Sequence, residues 1–275
     1  MSTNPQFVCP ICRSKLEKIE KSFTCKNRHC FDIAKEGYVN LLPVQQKKSK
    51  QPGDNKIMIQ SRRDFLNNHF YDMLIEPCAR IINKLIDERF EKCSLLDIGC
   101  GDGYFTSKIV ENLEKPIACY GMDISKDAVK YSAKTSKDIA WFVSSNNDLP
   151  LADNSIDIIL KINSPINYEK SQYKLSENGI IVSVTPGEAH LNGLKKVIYD
   201  DPQAHEKESC PENYSALLSE SVTGTMLLTN EIDIKNVFMM TPFFWNASQS
   251  SKEKINDLHS LASDTAFNIN VWEKQ

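Results

Sequence analysis

One segment governs what this chain can become: Leu95-Leu96-Asp97-Ile98-Gly99-Cys100-Gly101-Asp102-Gly103-Tyr104-Phe105-Thr106. A buried apolar run ending in Gly-x-Gly-x-Gly and opening a helical stretch reads as strand, tight turn and helix. Glycines are needed there because something approaches the backbone closely. The spacing differs from the dinucleotide fingerprint, whose third glycine lies three residues after the second; here the step is two, and Asp97 precedes the first glycine. Asp123 closes the next apolar run, Ala118 to Met122. A carboxylate at that place can accept hydrogen bonds from both hydroxyls of a ribose.

Short apolar runs and amphipathic stretches alternate on either side of this turn. Runs at 140–143, 156–160 and 179–184 read as strands, with helices at 104–113 and 126–134. Such alternation predicts an α/β fold whose parallel sheet is covered on both faces. Residues 58–92 read as helical, and the chain after 210 is richer in strand. With 275 residues, 41% hydrophobic and 25% charged, the chain suits one large domain plus something smaller, and is neither disordered nor collagenous. No apolar run reaches membrane-spanning length, and the polar start at Met1 to Gln6 carries no secretory signal, so a cytoplasmic protein is expected.

The smaller unit is marked by cysteine. Four of nine cysteines fall within the first 30 residues, as Cys9-x2-Cys12-x12-Cys25-x3-His29-Cys30. Two close pairs at this spacing predict a tetrahedral zinc site, and zinc would supply folding energy that so short a segment lacks. The fourth ligand is His29 or its neighbour Cys30, and with four protein ligands the site is structural. We divide the chain into a zinc-binding β module (1–34), a basic connector (35–57) and the main domain (58–275). Residues 1–63 carry 13 Lys and Arg against 5 Asp and Glu, whereas the whole chain has a net charge of −3. A basic head on an acidic body suits contact with a polyanion.

The glycine turn with Asp97 and Asp123 resembles motif one and the acidic loop of S-adenosylmethionine-dependent methyltransferases with a seven-stranded, Rossmann-like α/β core. A narrower resemblance follows from Phe31 to Gln45 (FDIAKEGYVNLLPVQ), Pro52-Gly53-Asp54, Arg62-Arg63-x-Phe65-Leu66 with Tyr71, Thr185-Pro186-Gly187-x-x-His190-Leu191, and Met240-Thr241-Pro242-Phe243. These resemble, in order along nearly the whole chain, the RlmA family of 23S ribosomal RNA (guanine-N1)-methyltransferases.

The resemblance implies methyl transfer from S-adenosylmethionine to N1 of a guanine in an rRNA hairpin, with Zn2+ bound by Cys9, Cys12, Cys25 and His29. It implies cofactor contacts at Tyr71, at the turn through Phe105 and Thr106, and at His190. These join Asp97, Gly99, Gly101, Gly103 and Asp123 from the glycine turn and its acidic partner. Asn147 or Asp148 is a candidate for the adenine, and Asp148, His190 and loop 163–167 are candidate neighbours of the guanine. No catalytic residue is assigned. Asn163-Ser164-Pro165-Ile166 departs from the Tyr-Ala-Pro-Cys of enterobacterial members. For RNA capture the candidates are Lys26, Arg28, Lys35, Lys47, Lys48, Lys50, Arg62 and Arg63, with Phe31 and Tyr38 either stacking on bases or packing the module. The family's homodimeric form is expected here too. A competing function, a small-molecule methyltransferase with a structural zinc module, predicts a closed apolar substrate pocket.

Overall fold

The computed structural model describes residues 6–46 and 53–275. Three short strands come first: β1 (Leu16–Ile19), β2 (Ser22–Cys25) and β3 (Cys30–Asp32), forming an antiparallel sheet in that order. β4 (Val39–Asn40) follows. The segment expected to be helical is broken in two, α1 (Lys56–Asn67) and α2 (Ile75–Arg89). The break has local causes. Asn68 caps α1 with its N–H on Leu66 and Phe65 carbonyls, His69 takes a left-handed φ of 65°, and Pro77 stands in the first turn of α2, where no N–H is required. α1 opens on Asn55, whose side chain accepts from the Met58 N–H. α2 buries Cys78, Ala79, Ile81, Ile82, Leu85 and Ile86 along one stripe.

The main sheet is built from β5 (Ser94–Ile98), β6 (Ala118–Asp123), β7 (Ala140–Val143), β8 (Ile156–Ile162), β9 (Leu175–Pro186), β10 (Tyr214–Leu228) and β11 (Leu261–Lys274). Between them run α3 (Tyr104–Glu111), α4 (Lys126–Thr135), α5 (Tyr168–Ser171), α6 (Asn192–Ile198), α7 (Glu231–Met239), α8 (Phe243–Asn246) and α9 (Gln249–Asn256). The strand order is β10-β11-β9-β8-β5-β6-β7-β4. The expected seven-stranded core is present as β5 to β11, and the connector adds an eighth strand, β4, which pairs parallel with β7 through Val39–Phe142 and Asn40–Val143. One expectation is corrected: the sheet is mixed, because β11 runs antiparallel to both β9 and β10.

β4 through β9 all point the same way, so the loops after β5, β6, β7, β8 and β9 gather at one edge. The chain leaves β5 toward β6 and β7 on one side, and toward β8 and β9 on the other. That reversal opens a crevice outside the carboxyl ends of β5 and β8.

Two apolar cores flank the sheet. One holds α1, α2, α3 and α7 side chains, including Phe65, Ile82, Ile109 and Val237. The other joins the N-terminal sheet to the main one: Phe7, only 1% exposed, sits edge-on to Phe23, Tyr120 and Phe142 at 5.1–6.4 Å between ring centres. Backbone bonds Val8 N–H to Pro150 O (2.9 Å) and Ala152 N–H to Gln6 O (3.0 Å) fasten the same junction.

Candidate functional site

Metal ligands first. Cys9, Cys12, Cys25 and His29 each offer a donor atom, all within 4.8 Å of one another. Cys12 Sγ lies 3.7 Å from Cys25 Sγ, and His29 Nδ1 lies 3.4 and 3.5 Å from Cys9 and Cys25 Sγ. Thiolates about 2.3 Å from one tetrahedral zinc stand about 3.8 Å apart, so three sulfurs and one imidazole nitrogen fit that ion. Cys30 is exposed on β3, where the Thr24 hydroxyl reaches its sulfur at 3.6 Å, and it takes no place in the cluster. Side-chain and backbone hydrogen bonds from Ser14 hold the Cys12 thiol down to about 5, whereas burial pushes Cys9 up. Hydrogen bonds to Cys12 and Cys25 raise His29. Cys12 is thus ready as a thiolate, the form that binds metal.

At the carboxyl edge, Gly99, Gly101 and Gly103 all have positive φ, 74°, 57° and 79°. Their surroundings differ. A Cβ on Gly99 would lie 2.4 Å from Ser164 Cβ, and one on Gly103 would lie 2.8 Å from both Ser132 and Trp141. The close approach there comes from the protein itself. At Gly101 the nearest atom to such a Cβ is Arg62 Nη1 at 3.9 Å, so this glycine alone of the three leaves open space over its backbone.

Asp123, at the end of β6, accepts from the Gly101 N–H (3.0 Å) and the Ser125 N–H (2.7 Å). Asp97 is buried, accepts from the Thr106 hydroxyl (2.5 Å) on one oxygen, and has its other oxygen unpartnered. Burial raises Asp97 to about 7, opposed by the Thr106 bond and reinforced by the charge of Asp123. Bare backbone at Gly101, a carboxylate beside it and an orphaned buried oxygen suit a polar, ribose-bearing cofactor.

Tyr71 and His190 are brought together, Oη to Nε2 at 3.2 Å, and both are buried. Their rings pack on Phe267, and His190 Nδ1 accepts from the Ala266 N–H at 3.3 Å. Burial, with Lys195 and His205 nearby, lowers His190 to about 3 and keeps it neutral. Tyr71 belongs to the turn that meets α3, since the Tyr104 hydroxyl donates to Asp72 at 2.5 Å. Phe105 packs on the core beside Tyr104.

Asp148 is held by Arg13 of the N-terminal unit and by Gln46 Nε2 at 2.5 Å, and Asn147 by Asn167 at 2.9 Å. Both are therefore engaged within the protein. Arg62 pairs with Asp54 and donates to the Met240 carbonyl; Arg63 pairs with Asp102 and lies 4.0 Å over the Tyr131 ring. Tyr38 is buried in the first core and Phe31 half-buried against the second, so both are engaged in packing. Lys26, Arg28 and Lys35 are exposed, and Lys47, Lys48 and Lys50 lie outside the described residues.

Residues 7–50 match the family model described as RlmA, N-terminal, a zinc ribbon, and residues 89–235, more than half of the chain, match that of a methyltransferase domain. The chain belongs to this methyltransferase family. A 23S rRNA (guanine(748)-N(1))-methyltransferase of Streptomyces fradiae is 27% identical to it over 271 residues, 95% of each chain. YxjB of Bacillus subtilis (strain 168), which its name assigns provisionally to the 23S rRNA (guanine-N(1)-)-methyltransferases, is 27% identical over 275 residues, 96% of this chain and 95% of its own.

The methyltransferase domain is S-adenosylmethionine-dependent, and the zinc ribbon carries a cluster suited to zinc. Among the described residues no helix is long and apolar enough to cross a membrane. Loop 163–167 was a candidate, but sequence reasoning missed the contact of its Ser164 with Gly99, the contacts of Ser132 and Trp141 with Gly103, and the buried Lys161 with the half-buried Glu208. Each comes from a distant part of the chain. A lysine inside the apolar strand 156–162 was the one visible signal.

Proposed function

We propose that this protein transfers a methyl group from S-adenosylmethionine to N1 of a guanine in a hairpin of 23S ribosomal RNA, working as a homodimer in the cytoplasm. The observation that carries the reading is relatedness through both units at once, ribbon and methyltransferase domain in the same order over 95% of the Streptomyces fradiae enzyme. In the division we propose, 1–34 is the ribbon, 35–57 the connector and 58–275 the methyltransferase domain. The connector's β4 anchors the first to the last.

Bound S-adenosylmethionine supplies an electrophilic methyl on its sulfonium. In our reading, Asp123 accepts from the ribose hydroxyls, and the Gly99–Gly103 turn lies under the methionine portion. Asp97 and Thr106 brace that turn from below. Guanine N1 carries a proton at neutral pH, so the site must align the base for in-line attack while that proton leaves and charge develops on O6. A guanine paired in a stem hides N1, so the base lies in a loop or is flipped out. The carboxyl-edge crevice is where it would enter, and Cys9, Cys12, Cys25 and His29 keep the ribbon folded beside it.

The test is transfer of labelled methyl from S-adenosylmethionine to unmodified 23S rRNA, followed by mass identification of the labelled nucleoside. Label in 1-methylguanosine is expected. Label in another nucleoside, or none on RNA either free or in ribosomal particles, rejects the reading.

A further inference from the structure

The second core contains an ion pair that neither the cofactor site nor the zinc site uses. Lys161, the residue before the last of β8, has a side chain only 6% exposed, and its Nζ lies 2.9 Å from Glu208 Oε1. Glu208 belongs to the long irregular stretch between α6 and β10. It also accepts from the Tyr168 hydroxyl (2.6 Å) and the Ser183 hydroxyl (2.5 Å). Burial opposes its charge, yet the hydrogen bonds from Lys161, Ser183 and Tyr168 hold its carboxyl below the usual range. A pair with one buried partner is weak evidence for stability, since apolar residues of similar volume often serve a core as well. What the pair provides is fixed geometry.

The geometry it fixes belongs to the loop after β8. Lys161 Nζ also donates to the Ser164 carbonyl at 3.4 Å. Ser164 in turn sits on Gly99 and donates its hydroxyl to the Ile98 carbonyl at 2.5 Å. On the far side Asn146 holds the Pro165 carbonyl at 2.8 Å, and the Asn163 N–H is bonded to Val184 O at 2.9 Å. Asn163 thereby stands in the left-handed region, φ 51°, at the switch point of the sheet. Its residue is exposed, and among the described residues no hydrogen bond engages its carboxamide. Its amide N–H groups are therefore uncommitted beside the carboxyl-edge crevice, and one of them suits a guanine's O6 while leaving N1 open.

We propose that the Lys161–Glu208 pair is a positioning device for methyl transfer: it locks the Asn163–Pro165 turn onto the glycine turn, so that the Asn163 carboxamide engages the acceptor guanine. The inference rests on the guanine reading above. Lys161 and Glu208 act through the turn, and Asn163 is the group that meets the base.

Four proteins are compared on 23S rRNA at saturating S-adenosylmethionine: the parent, Asn163→Ala, the double variant Lys161→Met/Glu208→Gln, and the triple variant. Asn163→Ala and the double variant should each lower kcat by about tenfold or more, since small misplacements of reacting groups are costly. Affinity for S-adenosylmethionine, read by calorimetry, should stay within about twofold, and the triple variant should lose no more than the worse of its parents, as groups acting in one unit are not additive. Glu208→Gln alone, which keeps an oxygen for Tyr168 and Ser183, replaces the double variant if that one does not fold. Parental kcat in Asn163→Ala overturns the proposal, as does a triple loss equal to the product of the two. A parent inactive on RNA overturns the guanine reading and this proposal with it; an active parent with unaffected variants overturns the proposal alone.

Discussion

Gly99 and Gly101 are separated by a single residue and should fail differently. Alanine at Gly99 must displace Ser164 and hold a left-handed φ, so Gly99→Ala is expected to lose roughly 2–4 kcal/mol of stability, read by thermal or denaturant unfolding. Alanine at Gly101 has room and should cost only about 1–2 kcal/mol for its backbone, yet weaken S-adenosylmethionine binding about tenfold or more in a calorimetric titration. Equal losses of stability at both sites would contradict this division of roles. Asp97 makes a pH prediction. Its pKa of about 7 in the folded protein exceeds the unfolded value near 3.9, so the folded state binds extra protons between those limits. The stability it contributes is full below about pH 4 and is lost as pH rises through about 7. In cofactor-free protein, the Tm of Asp97→Asn minus that of the parent should therefore grow from about pH 5 to about pH 8; a constant difference would sink the assignment. The glycines, Asp97 and Asp123 could be read from sequence because their chemistry is local and strictly spaced. The contact of Ser164 with Gly99 and the Lys161–Glu208 pair could not, because only the folded sheet brings the loop after β8 onto the turn after β5 and the stretch before β10 onto β8.

Elements repeat the lesson on a larger scale. The ribbon's ligand pairs announced themselves, but the choice between His29 and Cys30 depends on which way β3 turns its first residue. Cys30→Ser should retain about one zinc per chain by elemental mass spectrometry, whereas His29→Ala should lose it or bind it far more weakly. Metal loss from Cys30→Ser would reverse the assignment. The βα alternation gave the order of elements from β5 to β9. It could not show that β11 returns antiparallel, because a strand buried on both faces has the same apolar pattern in either direction. Nor did two residues, Val39 and Asn40, suffice to mark β4, whose partner β7 lies a hundred residues on.

For the molecule as a whole, exposed Lys26, Arg28 and Lys35 on the ribbon side make the RNA reading measurable. Replacing all three with alanine should reduce the slope of log affinity against log salt by about two to three, read by filter binding. An unchanged slope would place the RNA grip elsewhere. Phe7, buried among Phe23, Tyr120 and Phe142, is expected to cost about 3–5 kcal/mol when cut to alanine, seen as earlier unfolding and faster proteolysis of the N-terminal segment. That shared core also imposes a timetable on synthesis. The zinc ligands are complete once residue 29 has been made, but Phe7 finds Phe142 and Leu151, and β4 finds β7, only after the chain has grown past residue 151. The ribbon is thus made well before the strands it packs on, and is held in shape meanwhile by its metal.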